Sequence, residues 1–147
     1  MKSLFLMALV LLSGCDALPR DPAGTIERIT RDRSFRVGFA SPDIEATPRA
    51  AALLKTVELQ THAKAQVISG AGESLLARLE KGEVDLVVGR FKADSPWQTD
   101  VAFGPVLDAS GPSSDPVELK AAMRNGENRW IMAVEHASRF ISKEQAQ

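Results

Sequence analysis

The sequence predicts an α/β domain: a three-layer, mostly parallel sheet of about five strands with helices on both faces. Three observations lead there. Short runs with strand periodicity alternate with amphipathic helical stretches at close spacing, as in parallel strands joined by helical crossovers. The run Asp85-Leu86-Val87-Val88-Gly89 is almost wholly apolar, as a strand covered on both faces should be. Finally, 147 residues, 44% of them apolar and 25% charged, suit one ordinary globular core. With 18 basic against 19 acidic residues and no block of like charge, the chain lacks the basic stripe of a nucleic-acid binder.

The elements follow in order. Lys2 precedes nine unbroken apolar residues, 4–12, and then Ser13-Gly14-Cys15. Nine falls far short of the roughly 20 that a membrane span needs, so the pattern reads as a cleaved secretory signal. Cleavage before Cys15 leaves 133 of the 147 residues and, with Lys2 gone, a formal charge of −2. Cys15 is the only cysteine, so no intramolecular disulfide forms. Residues 16–24 hold two prolines and a glycine and read as a tether. Ile26 and Ile29 mark a short helical turn over 25–31, and Phe35, Val37 and Phe39 alternate through a strand at 34–40. Ser41-Pro42-Asp43 closes that strand.

Thr47 offers an N-cap with Pro48 at the first helical position. Ala50, Leu53, Leu54 and Val57 then share one helical face through about His62. A second strand occupies 65–69. Gly70-Ala71-Gly72 opens a helix with Leu75, Leu76 and Leu79 facing the core, ending at Lys81-Gly82. The third strand is 85–89 and the fourth 101–106, followed by a loop at 108–114. Val117–Arg124 reads two ways: Asp115-Pro116-Val117-Glu118 resembles a capped helix start, while Leu119, Ala121 and Met123 alternate as a strand does. From Asn128, an expected N-cap, Trp130, Val134, Ala137 and Ile141 recur at helical spacing, with Trp130 and Phe140 expected in the core.

Two resemblances add to this reading. Leu12-Ser13-Gly14-Cys15 resembles the lipobox of bacterial lipoproteins, which implies cleavage before Cys15 and acylation of that residue. Two or three acyl chains hold a protein stably on a membrane. Asp16 after the lipidated cysteine implies retention at the periplasmic face of the inner membrane. The rest resembles the polar amino-acid-type (family 3) periplasmic solute-binding proteins of ABC transporters. Four segments carry that likeness in order over residues 24–141: Gly24-Thr25-Ile26-Glu27-Arg28-Ile29 ahead of Phe35-Arg36-Val37-Gly38-Phe39; Leu79-Glu80-Lys81-Gly82-Glu83-Val84-Asp85-Leu86-Val87-Val88-Gly89; Ser95-Pro96 with Val101-Ala102-Phe103-Gly104-Pro105; and Asn125-Gly126-Glu127-Asn128. The resemblance implies a single lobe of the type 2 periplasmic-binding fold and tips Val117–Arg124 towards a strand returning antiparallel. The expected organisation is a lipoprotein signal peptide at 1–14, a lipidated tether at 15–23 and one lobe at 24–147.

Two departures shape the functional expectation. Two-lobed members close on their ligand like a clamp, but here a second lobe would have to fit into the ten residues between Val106 and Val117. In amino-acid binders of the family an Arg after the third strand grips the ligand carboxylate through two parallel charge-assisted bonds. Trp97 stands in that place here.

In an open parallel sheet, ligands sit beyond the carboxyl ends of the strands. Loops 40–46, 69–73 and 90–97 line that edge and offer Ser41, Asp43, Ser69, Glu73, Arg90, Ser95 and Trp97 as ligand-binding candidates, with Lys92 and Asp94 beside them. They form either a shallow mixed-charge groove with an aromatic wall, or ordinary polar loops with Trp97 packed beneath the crossing segment. Glu73 would repel an anion at the Gly70-Ala71-Gly72 helix start. His62 and His136 have no partner at ligand spacing, so no metal and no cofactor is expected. No nucleophile-elbow motif supports catalysis, so no enzyme activity is expected. The expected function is a membrane-anchored, substrate-binding-like lipoprotein of the cell envelope, a shortened ABC-transporter solute-binding component. A permease or a homodimer is the expected protein partner and a small polar solute the ligand. The alternative is a non-transport scaffold that has lost ligand binding. Because one lobe leaves half of any ligand exposed, the isolated protein should bind free amino acids weakly or not at all.

Overall fold

In the computed structural model, which describes residues 20–144, helix α1 (Thr25–Asp32) leads into strand β1 (Ser34–Phe39). The expected signal sequence, Cys15 and Asp16 lie outside the described residues. The short helix α2 (Pro42–Glu45) and helix α3 (Pro48–Thr61) lead to β2 (Lys64–Val67). Helix α4 (Gly72–Glu80), β3 (Leu86–Lys92), a 3₁₀ turn at Pro96–Thr99 and β4 (Val101–Phe103) follow. The described chain finishes with β5 (Asp108–Ser110), β6 (Val117–Arg124) and α5 (Asn128–Glu144).

The strands form one mixed sheet in the order β2-β1-β3-β6-β4, with β5 also paired to β6. β1 pairs in parallel with β2 and β3, whereas β3, β4 and β5 all pair antiparallel with β6. Five described strands therefore run one way and β6 alone runs back. The ambiguous segment Val117–Arg124 is thus the returning strand, and its burial explains why. Leu119, Ala121 and Met123 are buried against the larger core, while Ala122 packs into a smaller core on the other face. A helix could not serve both faces of a sheet.

The larger core joins Phe35 and Val37 to Leu53 and Val57 of α3 and to Trp130, Val134 and Ala137 of α5. On the opposite face α4 sets Leu75, Leu76 and Leu79 against Val84, Val87 and Val101. Leu75 lies so close over Gly38 that a Cβ there would stand 2.7 Å from Leu75 Cδ2. The expected cap of α3 is present, with Thr47 Oγ1 accepting from Ala50 N at 3.3 Å. Several expectations shift. The 41–43 stretch coils into α2, the fourth strand stops at Phe103, and the expected loop contributes β5. Phe140 is 50% exposed, not core. Ten residues at about 100° each bring it some 80° off the stripe of Trp130.

The end of the sheet where β1, β2 and β3 begin is closed by α1. Thr25 and Ala23 donate backbone N–H bonds to the carboxylate of Glu127, at 3.0 and 2.8 Å. Asp21 accepts from Ile26 N of α1 at 3.0 Å and from Arg129 N of α5 at 2.6 Å, so one carboxylate caps two helices. Arg28 of α1 reaches Asp85 just ahead of β3, and Arg36 grips the same carboxylate through Nε at 3.1 Å and Nη2 at 2.7 Å. The Asp85 backbone carbonyl accepts from Trp130 Nε1 at 2.7 Å. Past α1, Lys64 N donates to the Arg33 carbonyl at 2.9 Å. Residues 20–24 are thereby fixed to the body of the lobe. Burial alone would raise the Glu127 carboxyl, but the Thr25 and Ala23 bonds, with Arg124 nearby, outweigh it and hold Glu127 below its ordinary range.

Candidate functional site

At the other end of the sheet, beyond the carboxyl ends of β1 and β3, lies an open cavity of about 430 Å³. Its position follows from the connections: β1 gives way to Ala40-Ser41 before α2, and Gly72 N donates to the Ala40 carbonyl at 2.9 Å. That bond pins the start of α4, and with it Glu73, to the cavity rim. β3 runs on into Arg90, Phe91 and Lys92, and the 3₁₀ turn brings Pro96 and Trp97 back across.

Five of the seven residues expected from the sequence line this cavity: Ser41, Glu73, Arg90, Ser95 and Trp97. Lys92 and Asp94 join them. Asp43 and Ser69 stand elsewhere. Asp43 is carried off the rim because 42–45 winds into a helical turn. Ser69 follows the edge strand β2, one strand away from the cavity, and its carbonyl accepts from Arg78 Nη1 at 2.9 Å. Sequence reasoning missed the apolar lining, Leu76 and Phe91 above all. Phe91 depends on Gly89, where a Cβ would lie 2.7 Å from Phe91 Cζ and 2.6 Å from Ala40 Cβ. The glycine lets the ring fold back over the strand as a floor. Phe91 also packs on Phe103, ring centroids 4.9 Å apart. A glycine two residues before an aromatic on one strand face was the available signal.

The charges in and around the cavity divide into two sets. Both cations are already held by the crossing segment. Arg90 Nη2 lies 3.5 Å from Asp108, which also faces Arg49 Nη2 at 3.9 Å. Lys92 Nζ lies 2.8 Å from Asp115. The hydrogen bond from Lys92 to Asp115 raises the lysine above its ordinary pKa. The two carboxylates that line the cavity, Glu73 and Asp94, have neither hydrogen bond nor ion pair among the described residues. Beside the half-buried faces of Phe91 and Trp97, the charge available to a ligand is negative. Among the described residues no group of three or more potential metal ligands is found. A second hollow of about 460 Å³ lies along β4, where Lys120, 7% exposed, sits 2.6 Å from Glu118 and over the Phe103 ring.

No protein-family model matches the chain, and no curated protein does. Solved structures do. The arginine-bound form of domain 1 from TmArgBP aligns over 77% of this chain and 97% of its own, with TM-score 0.65 and 13% identity. AbpA from Streptococcus pneumoniae, an amino acid ABC transporter substrate-binding protein bound to L-arginine, aligns over 81% and 93%, with TM-score 0.69 and 8% identity. The ancestral amino-acid-binding protein AncCDT-1, a precursor of cyclohexadienyl dehydratase, gives TM-score 0.69 and 11% identity over 82% and 94%. Likeness at such identities establishes the fold, an open α/β lobe of the periplasmic-binding type. No helix among the described residues is long and apolar enough to cross a membrane.

Proposed function

We propose that this chain is a lipid-anchored envelope protein that binds a small cationic solute in the cavity at the carboxyl ends of β1 and β3. The observation that carries the reading is the charge arrangement there. Arg90 shares Asp108 with Arg49, and Lys92 is held by Asp115, with Asp94 acting on it at a distance. Glu73, beside Phe91 and Trp97, makes no hydrogen bond or ion pair among the described residues. Glu73 and Asp94 are exposed, and an accessible carboxylate beside an aromatic face attracts a guanidinium or ammonium group. The same arrangement disfavours a ligand recognised through its carboxylate, because Trp97 offers one N–H donor and no charge. That structural neighbours carry arginine is in keeping with the reading. With one wall open to solvent the isolated lobe binds weakly, and a permease or a second copy supplies the other wall.

Anchoring through acylated Cys15, after removal of residues 1–14, accounts for the lipobox-like Leu12-Ser13-Gly14-Cys15. A Cys15→Ala protein should leave the detergent phase in a phase-partition assay while the wild type stays. Retention of the variant would defeat the anchor. Binding is tested by nitrogen–proton correlation spectra of residues 20–147 titrated with agmatine, a guanidinium compound with no carboxylate. Shifts gathered at Ser41, Glu73 and Trp97 are expected. Silence at those amides at saturating agmatine would favour the scaffold that has lost its ligand.

A further inference from the structure

The lobe carries a definite orientation relative to the membrane, and this inference rests on the acylation of Cys15 proposed above. Four residues, 16–19, separate Cys15 from Arg20. Even fully extended, the step from Cys15 to Arg20 spans at most about 17 Å. Arg20 is no free end: its carbonyl accepts from Asn128 N at 3.1 Å, and Asp21 caps α1 and α5. Glu127 locks Ala23 and Thr25 to the same place. The tether therefore ends on the α1 side, where β1, β2 and β3 begin. The cavity opens at the opposite end, about 23 Å away along the seven residues of β3.

Charge points the same way. At the cavity end stand Asp43, Glu45, Glu73, Asp94, Asp108 and Asp115, against Arg49, Arg90 and Lys92. Beside the tether the exposed rim carries Arg20, Arg31, Arg33 and Arg129, but Arg31 pairs with Asp32 and Arg129 with Glu27. Glu80, Glu83 and Asp100 share that end, which is therefore less acidic than the cavity end without being basic. An anionic bilayer surface repels the acidic end.

We propose that the α1 end of the anchored lobe, where the short tether ends, lies against the phospholipid headgroups and that the acidic cavity end faces away from the bilayer. A protein that completes the cavity then meets it from the aqueous side, through a domain standing clear of the membrane.

The test uses the full-length acylated protein in vesicles of phosphatidylcholine and phosphatidylglycerol with a headgroup-linked quencher. Because acylation consumes the chain's only cysteine, a thiol-reactive dye marks a single introduced position, Thr30→Cys on α1 or Ser113→Cys at the cavity end. Dye at position 30 should be quenched several-fold more than dye at 113. Inserting a ten-residue Gly/Ser linker after Pro19 should bring the two towards equality. Equal quenching in vesicle-bound protein with its native tether would overturn the orientation and leave the anchor standing. Protein that fails to bind vesicles at all would overturn the anchor, and the orientation with it.

Discussion

The two ends of the sheet are built on opposite principles. Below β1 and β3, charged groups are buried and mutually satisfied: Asp85 is held by two arginines and Glu127 by two backbone amides. Above them, Glu73 and Asp94 make no hydrogen bond or ion pair among the described residues, Asp94 acting on Lys92 only at a distance, and two aromatic rings stay half open. Both carboxylates are exposed, so they cost the fold little and stay accessible from solvent. The closed end holds its charges against one another, and the open end leaves them accessible.

The largest effect should follow from breaking the closed end. Asp85→Ala leaves Arg28 and Arg36 facing a vacated site, and loss of one partner of a buried pair costs about 3–5 kcal/mol. Both arginines are about 30% exposed, which places the expected loss near 3 kcal/mol in urea unfolding. A loss under 1 kcal/mol would show that the two ends are equally dispensable.

Gly89→Ala comes next. Its methyl group meets Phe91 and the Ala40 Cβ, and overpacking of this kind costs about 1–3 kcal/mol. More telling, it should displace the Phe91 ring and abolish agmatine-induced shifts in protein that remains folded. Unchanged binding would remove Phe91 from the site.

Smaller still is the pH response of the clasp. The Glu127 carboxyl is lowered in the folded state, so it stabilises fully above the ordinary glutamate pKa of about 4.3. That stability disappears as pH falls through the folded value. The stability gap between wild type and Glu127→Gln should therefore be widest at neutral pH and close in acid, as followed by urea midpoints. A gap independent of pH would contradict the assigned charge. At the open end Asp115→Asn should leave the midpoint where it was, because the Lys92 pair is exposed.

The fold was largely legible because its signals are local and redundant. Phe35, Val37 and Phe39 alternate, Leu75, Leu76 and Leu79 share a helical face, and Thr47-Pro48 starts a helix with its own chemistry. Val117–Arg124 was not legible from its residues alone. A strand buried on both faces loses the polar alternation that separates it from a helix, and the family resemblance decided the matter. The site was half legible. Loops at the carboxyl ends of strands bring Ser41, Glu73, Arg90, Ser95 and Trp97 to one cavity, while Asp43 and Ser69 fall outside it. Pairing is a matter of distance across the fold, however. Nothing near Arg90 in sequence announces Asp108, and nothing near Lys92 announces its hydrogen-bond partner Asp115, which stand 18 and 23 residues away. The docked segment 20–23 was hidden for the same reason, since Glu127 stands more than a hundred positions from its partners.

The central claim is that the open end selects a cation through Glu73 and Asp94. It is tested most directly by titrating agmatine and, separately, succinate into the wild type and a Glu73→Gln/Asp94→Asn variant, following the amides of Ser41 and Trp97. The expected result is that agmatine shifts these amides in the wild type and fails in the variant, with succinate inert in the wild type. Succinate binding to the wild type while agmatine leaves both proteins unchanged would contradict it.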